Sequence, residues 1–137
     1  SPHPPRNPFA PELPLAVYGQ GMGALGLPGD VSPMSRFVRA AFLKENALFT
    51  GDELQDVTQF FHILDGVSMV RGSVITPEGK PDLPLYASCA DASHGVYYYK
   101  TYENHQINGV RFTEALMDGE ALCCYPLENR QHVHWVN

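Results

Sequence analysis

The chain has 137 residues, 44% hydrophobic and 18% charged, which supports one folded domain with a buried core and differs from the composition of disordered proteins. A net charge of −6 argues against nucleic-acid binding, and no stretch approaches the roughly 20 apolar residues of a membrane-spanning helix. Cys89, Cys123 and Cys124 lack the spacing of a disulfide framework or a zinc site, so we expect buried or half-buried structural thiols in a reducing compartment.

Residues 1–14 are rich in proline and contain half of the twelve prolines of the chain. Proline fixes φ and lacks an amide donor, which disfavours both a helix and a central strand. We therefore expect an extended arm or an interdomain connection here, followed by a domain over residues 15–137. The sequence reads as though it began in the middle of a larger protein.

Residues 15–31 form a glycine-rich loop that ends in Leu-Pro-Gly-Asp. The spacing Gly19-x-Gly21-x-Gly23 matches neither the dinucleotide-binding fingerprint nor a Walker motif, so a nucleotide site is not favoured. The helix predicted after the loop carries Arg36 in its first turn. The sequence thus places a cation beside exposed backbone, an arrangement that suits an anionic or carbonyl-bearing ligand.

The first helix should begin at Ser32, because serine is a favoured N-cap and Pro33 suits the first helical position. Residues with helical spacing predict one buried stripe: Met34, Phe37, Val38, Ala41 and Phe42. Arg36 lies off this stripe, near the N-terminal end of the helix, where the helix dipole does not favour a cation. The residues alone leave open whether Arg36 is functional or an ordinary surface arginine.

The second helix should begin near Thr50, with Thr50 and Glu53 as a capping box, and end at Gly66. Its predicted buried stripe consists of Leu54, Val57, Phe61 and Leu64. His62 is expected to be a packed or hydrogen-bonded histidine, since no catalytic partner is visible in the sequence. His132 and His134 lack a third ligand, so a metal site in the C-terminal tail is not favoured.

The rest of the chain is predicted to be β-structure. The expected strands are 67–75, 85–90, 95–102, 106–112 and 121–126, with a short one at 133–136. The tyrosines at 97–99 are expected to be half-buried sheet residues. The order of loop, two helices and a strand meander indicates an α+β fold with two helices packed on an antiparallel sheet.

Five stretches, in order, resemble the choloylglycine hydrolase family, which includes bile salt hydrolases and penicillin V acylases. They are GQGMGALGLPGD, SPMSRFVRAAFLK, QFFHILDGVSMVRGS, YASCADASHGVYYYKTYENHQI and HWVN. The resemblance covers nearly all of the chain after about Leu15. It is to the C-terminal part of the family, and it is closer to the bile salt hydrolases than to the acylases.

The resemblance implies an N-terminal-nucleophile hydrolase fold, in which two stacked antiparallel sheets lie between helical layers. It implies that a cysteine at the mature N-terminus attacks an amide carbonyl, without a metal or cofactor. The Ser-Arg-Phe context maps the family's late active-site arginine onto Arg36, which would favour the thiolate and orient the site. The loop residues Gly23, Leu27, Gly29 and Asp30 are expected to border that site.

The implied nucleophile should lie upstream of this chain, so we expect the chain alone to be inactive. Ser1 is not expected to replace it, because a proline-rich arm does not supply a fixed strand. The resemblance implies that the complete bacterial, cytoplasmic enzyme cleaves glycine- or taurine-conjugated bile salts. A penicillin V acylase is one alternative, and a non-catalytic binding or assembly module is the other. Expected partners are a missing N-terminal segment or a second copy, within a homo-oligomer. The resemblance also implies that residues 1–14 could be an excursion that packs against a neighbouring subunit.

Overall fold

The computed structural model describes residues 5–137, apart from the side chains of residues 115 and 117. Ser1, considered above as a nucleophile, lies outside the described residues. The elements in chain order are a 3₁₀ turn Met22–Ala24, α1 Pro33–Asn46, α2 Glu53–Asp65, β1 Tyr86–Asp91, β2 Val96–Thr101, β3 Asn108–Arg111 and a short α3 Glu114–Met117. Residues 5–14 form turns and extended chain, with no helix or strand among them. No described helix combines the length and the apolar character that crossing a membrane requires.

Helix α1 begins where the sequence predicts, but its apolar stripe is not buried. The Oγ of Ser32 accepts a hydrogen bond from the Ser35 amide at 3.4 Å, and Pro33 is the first helical residue. Met34 is 74% exposed and Phe37 is 69% exposed, so the predicted core stripe is wrong for this chain. The reason is that α1 packs on α2, and no described element covers its opposite face.

Helix α2 is capped differently from the prediction. Asp52, rather than Thr50, is the N-cap, and its carboxylate accepts a hydrogen bond from the Gln55 amide at 2.9 Å. The helix ends before Gly66, as predicted, and the Gly66 amide donates to the His62 carbonyl at 3.0 Å. His62 itself is exposed, so the prediction of a packed histidine is wrong.

The residue after α2, Gly66, lies beside α1. A Cβ atom at this position would lie 2.5 Å from Cδ1 of Leu43 in α1, so a larger residue here requires the Leu43 side chain to shift. The loop that follows carries Val67 and Met69, which are both buried.

The sheet is a three-stranded antiparallel meander in the order β1–β2–β3. Val57 and Phe61 of α2 pack against Val96 and Tyr98 of β2, and these residues form the main hydrophobic core. Tyr99 is buried as well, so the tyrosines belong to the sheet as expected. The α+β class and three of the predicted strands are therefore confirmed.

Three other predicted strands are wrong within the described residues. Residues 67–75 form no strand: Gly72 adopts a φ of 92°, the Ser73 amide donates to the Val70 carbonyl at 2.9 Å in a turn, and Ile75 forms only an isolated bridge with Pro81. Residues 121–126 and 133–136 belong to no strand.

The C-terminal tail lies against the sheet through polar contacts. Asn104 is 1% exposed, and its side-chain amide donates to the Glu128 carbonyl at 3.1 Å. The His105 amide donates to Oε1 of Gln131 at 2.8 Å. Among residues 5–137 no second layer covers the tail, so Cys123 and Cys124 are exposed and the prediction of buried or half-buried thiols is wrong for both. Cys89 in β1 is half-buried, as expected.

Candidate active-site cleft

A cleft of about 670 Å³ opens between the C-terminal end of α2 and the first two strands. The buried loop residues Val67 and Met69 form part of one wall, and Tyr86 and Ala87 of β1 form part of the other. The cleft is largely apolar, and Arg36 reaches it from the first turn of α1. A largely apolar cleft with a cation at its wall suits an amphiphilic anion.

Arg36 is held by the end of α2. Its Nε donates a hydrogen bond to the Val67 carbonyl at 2.8 Å, and the side chain is half-buried. This carbonyl lies two residues beyond the last residue of α2, at the end of the helix whose dipole favours a cation. The dipole of α1 disfavours the charge of Arg36, but the dipole of α2 favours it, because the guanidinium lies at the C-terminal end of α2. No described residue accepts a hydrogen bond from the terminal NH₂ groups of Arg36, which leaves them to a ligand.

A second cation in the cleft, Lys100, already has partners. Its Nζ lies 2.5 and 2.6 Å from the two carboxylate oxygens of Asp65, and 5.4 Å from the centre of the Phe61 ring. Its charge is compensated by Asp65 at the end of α2. Arg36 is thus the better placed of these two cations to receive an anionic group.

The glycine loop is fastened to the turn of α1 that carries Arg36. The Asp30 carboxylate accepts hydrogen bonds from the Ser32 amide at 2.9 Å and from the Ser35 hydroxyl at 2.5 Å. Hydrogen bonding by the Ser32 side chain first, then by the Ser35 hydroxyl and the Ser32 amide, lowers the pKa of Asp30 from 3.8 to about 2. Arg39 Nη1 donates to the Pro28 carbonyl at 3.1 Å and to the Asp30 carbonyl at 2.6 Å.

The described part of the cleft wall does not include Gly23, Leu27, Gly29 or Asp30. Their connection to Arg36 is through the start of α1, to which Asp30 is hydrogen-bonded. Their place beside a bound substrate stays a prediction.

A separate polar cluster lies at the N-terminal end of α2. His94 Nδ1 is 2.7 Å from Oδ2 of Asp91, and the Tyr98 hydroxyl donates to the Glu53 carboxylate. The hydrogen bond and charge of Asp91 raise the pKa of His94, and the field of Arg111 opposes this effect. The sequence does not predict this cluster: the spacing of Asp91 and His94 indicates a turn contact, but Glu53 joins them only through the fold.

Comparison with known proteins identifies the family. The family model of linear amide C–N hydrolases, choloylglycine hydrolase family, matches residues 1–125. The chain belongs to the choloylglycine hydrolase family. The expectation from the five resembling stretches is therefore confirmed.

Curated relatives in this family are bile salt hydrolases. The chain is 47% identical to the bile salt hydrolase/transferase of Lactiplantibacillus plantarum over 97% of the chain and 41% of that relative. It is 44% identical to the bile salt hydrolase/transferase of Clostridium perfringens over 90% of the chain and 37% of that relative. The chain therefore spans about two fifths of the length of these relatives.

Solved structures show the same fold. A variant of the conjugated bile acid hydrolase of Clostridium perfringens matches with a TM-score of 0.77 and 42% identity, over 92% of this chain and 38% of that one. The penicillin V acylase of Agrobacterium tumefaciens matches with a TM-score of 0.56 and 20% identity, over 67% of this chain and 29% of that one. The second likeness concerns the fold alone.

Proposed function

We propose that this chain supplies one part of the active site of a linear amide hydrolase that cleaves glycine- or taurine-conjugated bile salts. The carrying observation is Arg36 at the wall of an apolar cleft, anchored through Nε and with its terminal NH₂ groups directed to no described acceptor. The two relatives named as bile salt hydrolase/transferases support this substrate class.

In this proposal Arg36 acts on a cysteine thiol that another polypeptide segment supplies. A nearby guanidinium lowers the pKa of a thiol, because it stabilises the thiolate. The thiol passes its proton to the α-amino group of its own residue, and the thiolate attacks the amide carbonyl carbon, so the carbonyl oxygen becomes an oxyanion. The α-amino group then gives that proton to the amine as the C–N bond breaks. Water then hydrolyses the thioester and releases the carboxylic acid. The terminal NH₂ groups of Arg36 also stabilise the developing negative charge.

The proposal assigns the segment carrying the nucleophile to the rest of the family domain or to a second copy of the protein. The uncovered face of α1, with Met34 and Phe37 exposed, supports an additional layer there. Residues 1–14 would act as an assembly arm and residues 15–137 as the C-terminal part of the domain. A homo-oligomer in the bacterial cytoplasm stays a prediction.

The test uses the complete polypeptide that contains this chain, with glycocholate, taurocholate and penicillin V as substrates. We expect release of glycine and taurine, and a kcat/KM for Arg36→Lys that is at least about 100-fold lower, since one precisely aimed donor contributes about that much. The matched control is Arg130→Ala at an exposed position of the tail. Faster cleavage of penicillin V would assign the acylase alternative, and no cleavage of any substrate would favour a binding module.

A further inference from the structure

The polar cluster of Glu53, Asp91 and His94 lies at the opposite end of α2 from the cleft. Glu53 is the first residue of α2, Asp91 is the last residue of β1, and His94 lies in the turn before β2. The cleft is at the C-terminal end of the same helix, on the order of 18 Å away along a helix of this length. The chemistry proposed for Arg36 does not use this cluster.

We propose that Glu53, Asp91 and His94 form a binding site for a divalent transition-metal ion of the zinc type. One potential ligand atom from each of the three side chains lies within 4.8 Å of the other two. The residues come from two elements that the fold brings together, α2 and the β1–β2 turn. The inference does not depend on the hydrolase activity.

The donor types match this class of ion. Zinc binds imidazole nitrogen and carboxylate oxygen at about 2.0–2.2 Å, so tetrahedral ligands lie about 3.3 Å apart. The present distances between the three atoms are at most 4.8 Å, so each distance has to shorten by at most about 1.5 Å. His94 is exposed and Glu53 half-exposed, so both side chains have room to rotate, and Glu53 would turn about its hydrogen bond with the Tyr98 hydroxyl. The ion would take the place of the proton shared by His94 Nδ1 and Asp91 Oδ2.

The local charge sets the expected strength of the site. Two carboxylates attract a cation, whereas Arg111 and the positive end of the α2 dipole oppose it. The net local charge is still negative, but small, so it attracts a cation only weakly. We therefore expect binding that is weaker than in a closed structural zinc site, and we expect removal of the Arg111 charge to strengthen it.

Zinc binding should be measured by calorimetry in the 137-residue chain with Cys123→Ser and Cys124→Ser, because exposed thiolates bind zinc independently. We expect one ion per chain, and at least about a 10-fold loss of affinity in Glu53→Gln and in His94→Gln. His62→Gln is the matched control, because it changes an exposed histidine of α2, the helix that also carries Glu53. Cobalt should give visible absorption bands without a thiolate charge-transfer band.

Arg111→Gln distinguishes a direct effect on the site from loss of folding, because a misfolded protein would not bind zinc more tightly. Tighter zinc binding in this variant, together with a higher thermal midpoint in zinc, would support the proposal. Absence of binding, unchanged affinity in His94→Gln, or unchanged affinity in Arg111→Gln would overturn it. Unchanged affinity in His94→Gln would assign the ion to other residues, such as His132 and His134.

Discussion

Truncation of Phe61 tests whether the α2–sheet contact is the main source of stability in this chain. Phe61 is 2% exposed, packs in the core cluster, and has Lys100 Nζ 5.4 Å from its ring centre. Removal of a buried phenylalanine costs about 3–5 kcal/mol, through lost transfer free energy and the cavity left behind. Loss of the cation–π contact adds about 0.5–1 kcal/mol. We expect Phe61→Ala to lower the free energy of unfolding by about 3.5–6 kcal/mol.

The assay is urea unfolding followed by circular dichroism, with Phe60→Ala as the control. Phe60 is the adjacent residue and is only half-buried, so its truncation should cost much less than that of Phe61. A small domain has a total stability of about 5–15 kcal/mol, so Phe61→Ala should lose a large fraction of it. Equal losses in the two variants, or a loss below about 1 kcal/mol for Phe61→Ala, would refute the assignment of the core to this contact.

Three further predictions concern the loop, the tail and the candidate active site. The lowered pKa of Asp30 stabilises the fold fully above pH 3.8 and loses its effect as pH falls from 3.8 to about 2, so Asp30→Asn should flatten the dependence of the urea midpoint on pH in that range. A slope that matches the parent protein would contradict this. Asn104→Ala leaves a buried site without its donor and should cost about 1–3 kcal/mol, with faster hydrogen exchange in residues 121–137. Unchanged exchange there would show that other contacts hold the tail. In the complete enzyme, Arg36→Ala should raise the apparent pKa of the thiol in the pH–rate profile, and an unshifted profile would exclude thiolate stabilisation.

The structural elements that the sequence predicts correctly are determined by residues close to one another in the chain. Ser32 and Pro33 define the start of α1 because a cap and the first helical position are set within one turn. The aromatic run at 97–99 predicts β2 because such residues favour a pleated, half-buried surface. The family resemblance adds what local rules do not supply, namely the role expected for Arg36.

The failures concern partners that are distant in sequence or outside the described structure. The apolar spacing of α1 correctly predicts one face, but spacing does not say what covers it, and Phe37 is exposed here. The strand predicted at 67–75 is wrong because one glycine, Gly72, turns the chain within an apolar run. Glu53 and Asp91 meet only through the packing of α2 on β1, so no local spacing reveals their cluster.

The hydrogen bond between Arg36 and the Val67 carbonyl makes the orientation of the guanidinium depend on the distance between two helices. Gly66 lies at that contact, because a side chain there would displace the Leu43 side chain of α1. Substitutions at this interhelical contact are therefore expected to change turnover without touching the substrate. A search for activity-altering variants of such an enzyme should include the α1–α2 contact as well as the cleft wall, and should expect rate effects there with little change in substrate preference.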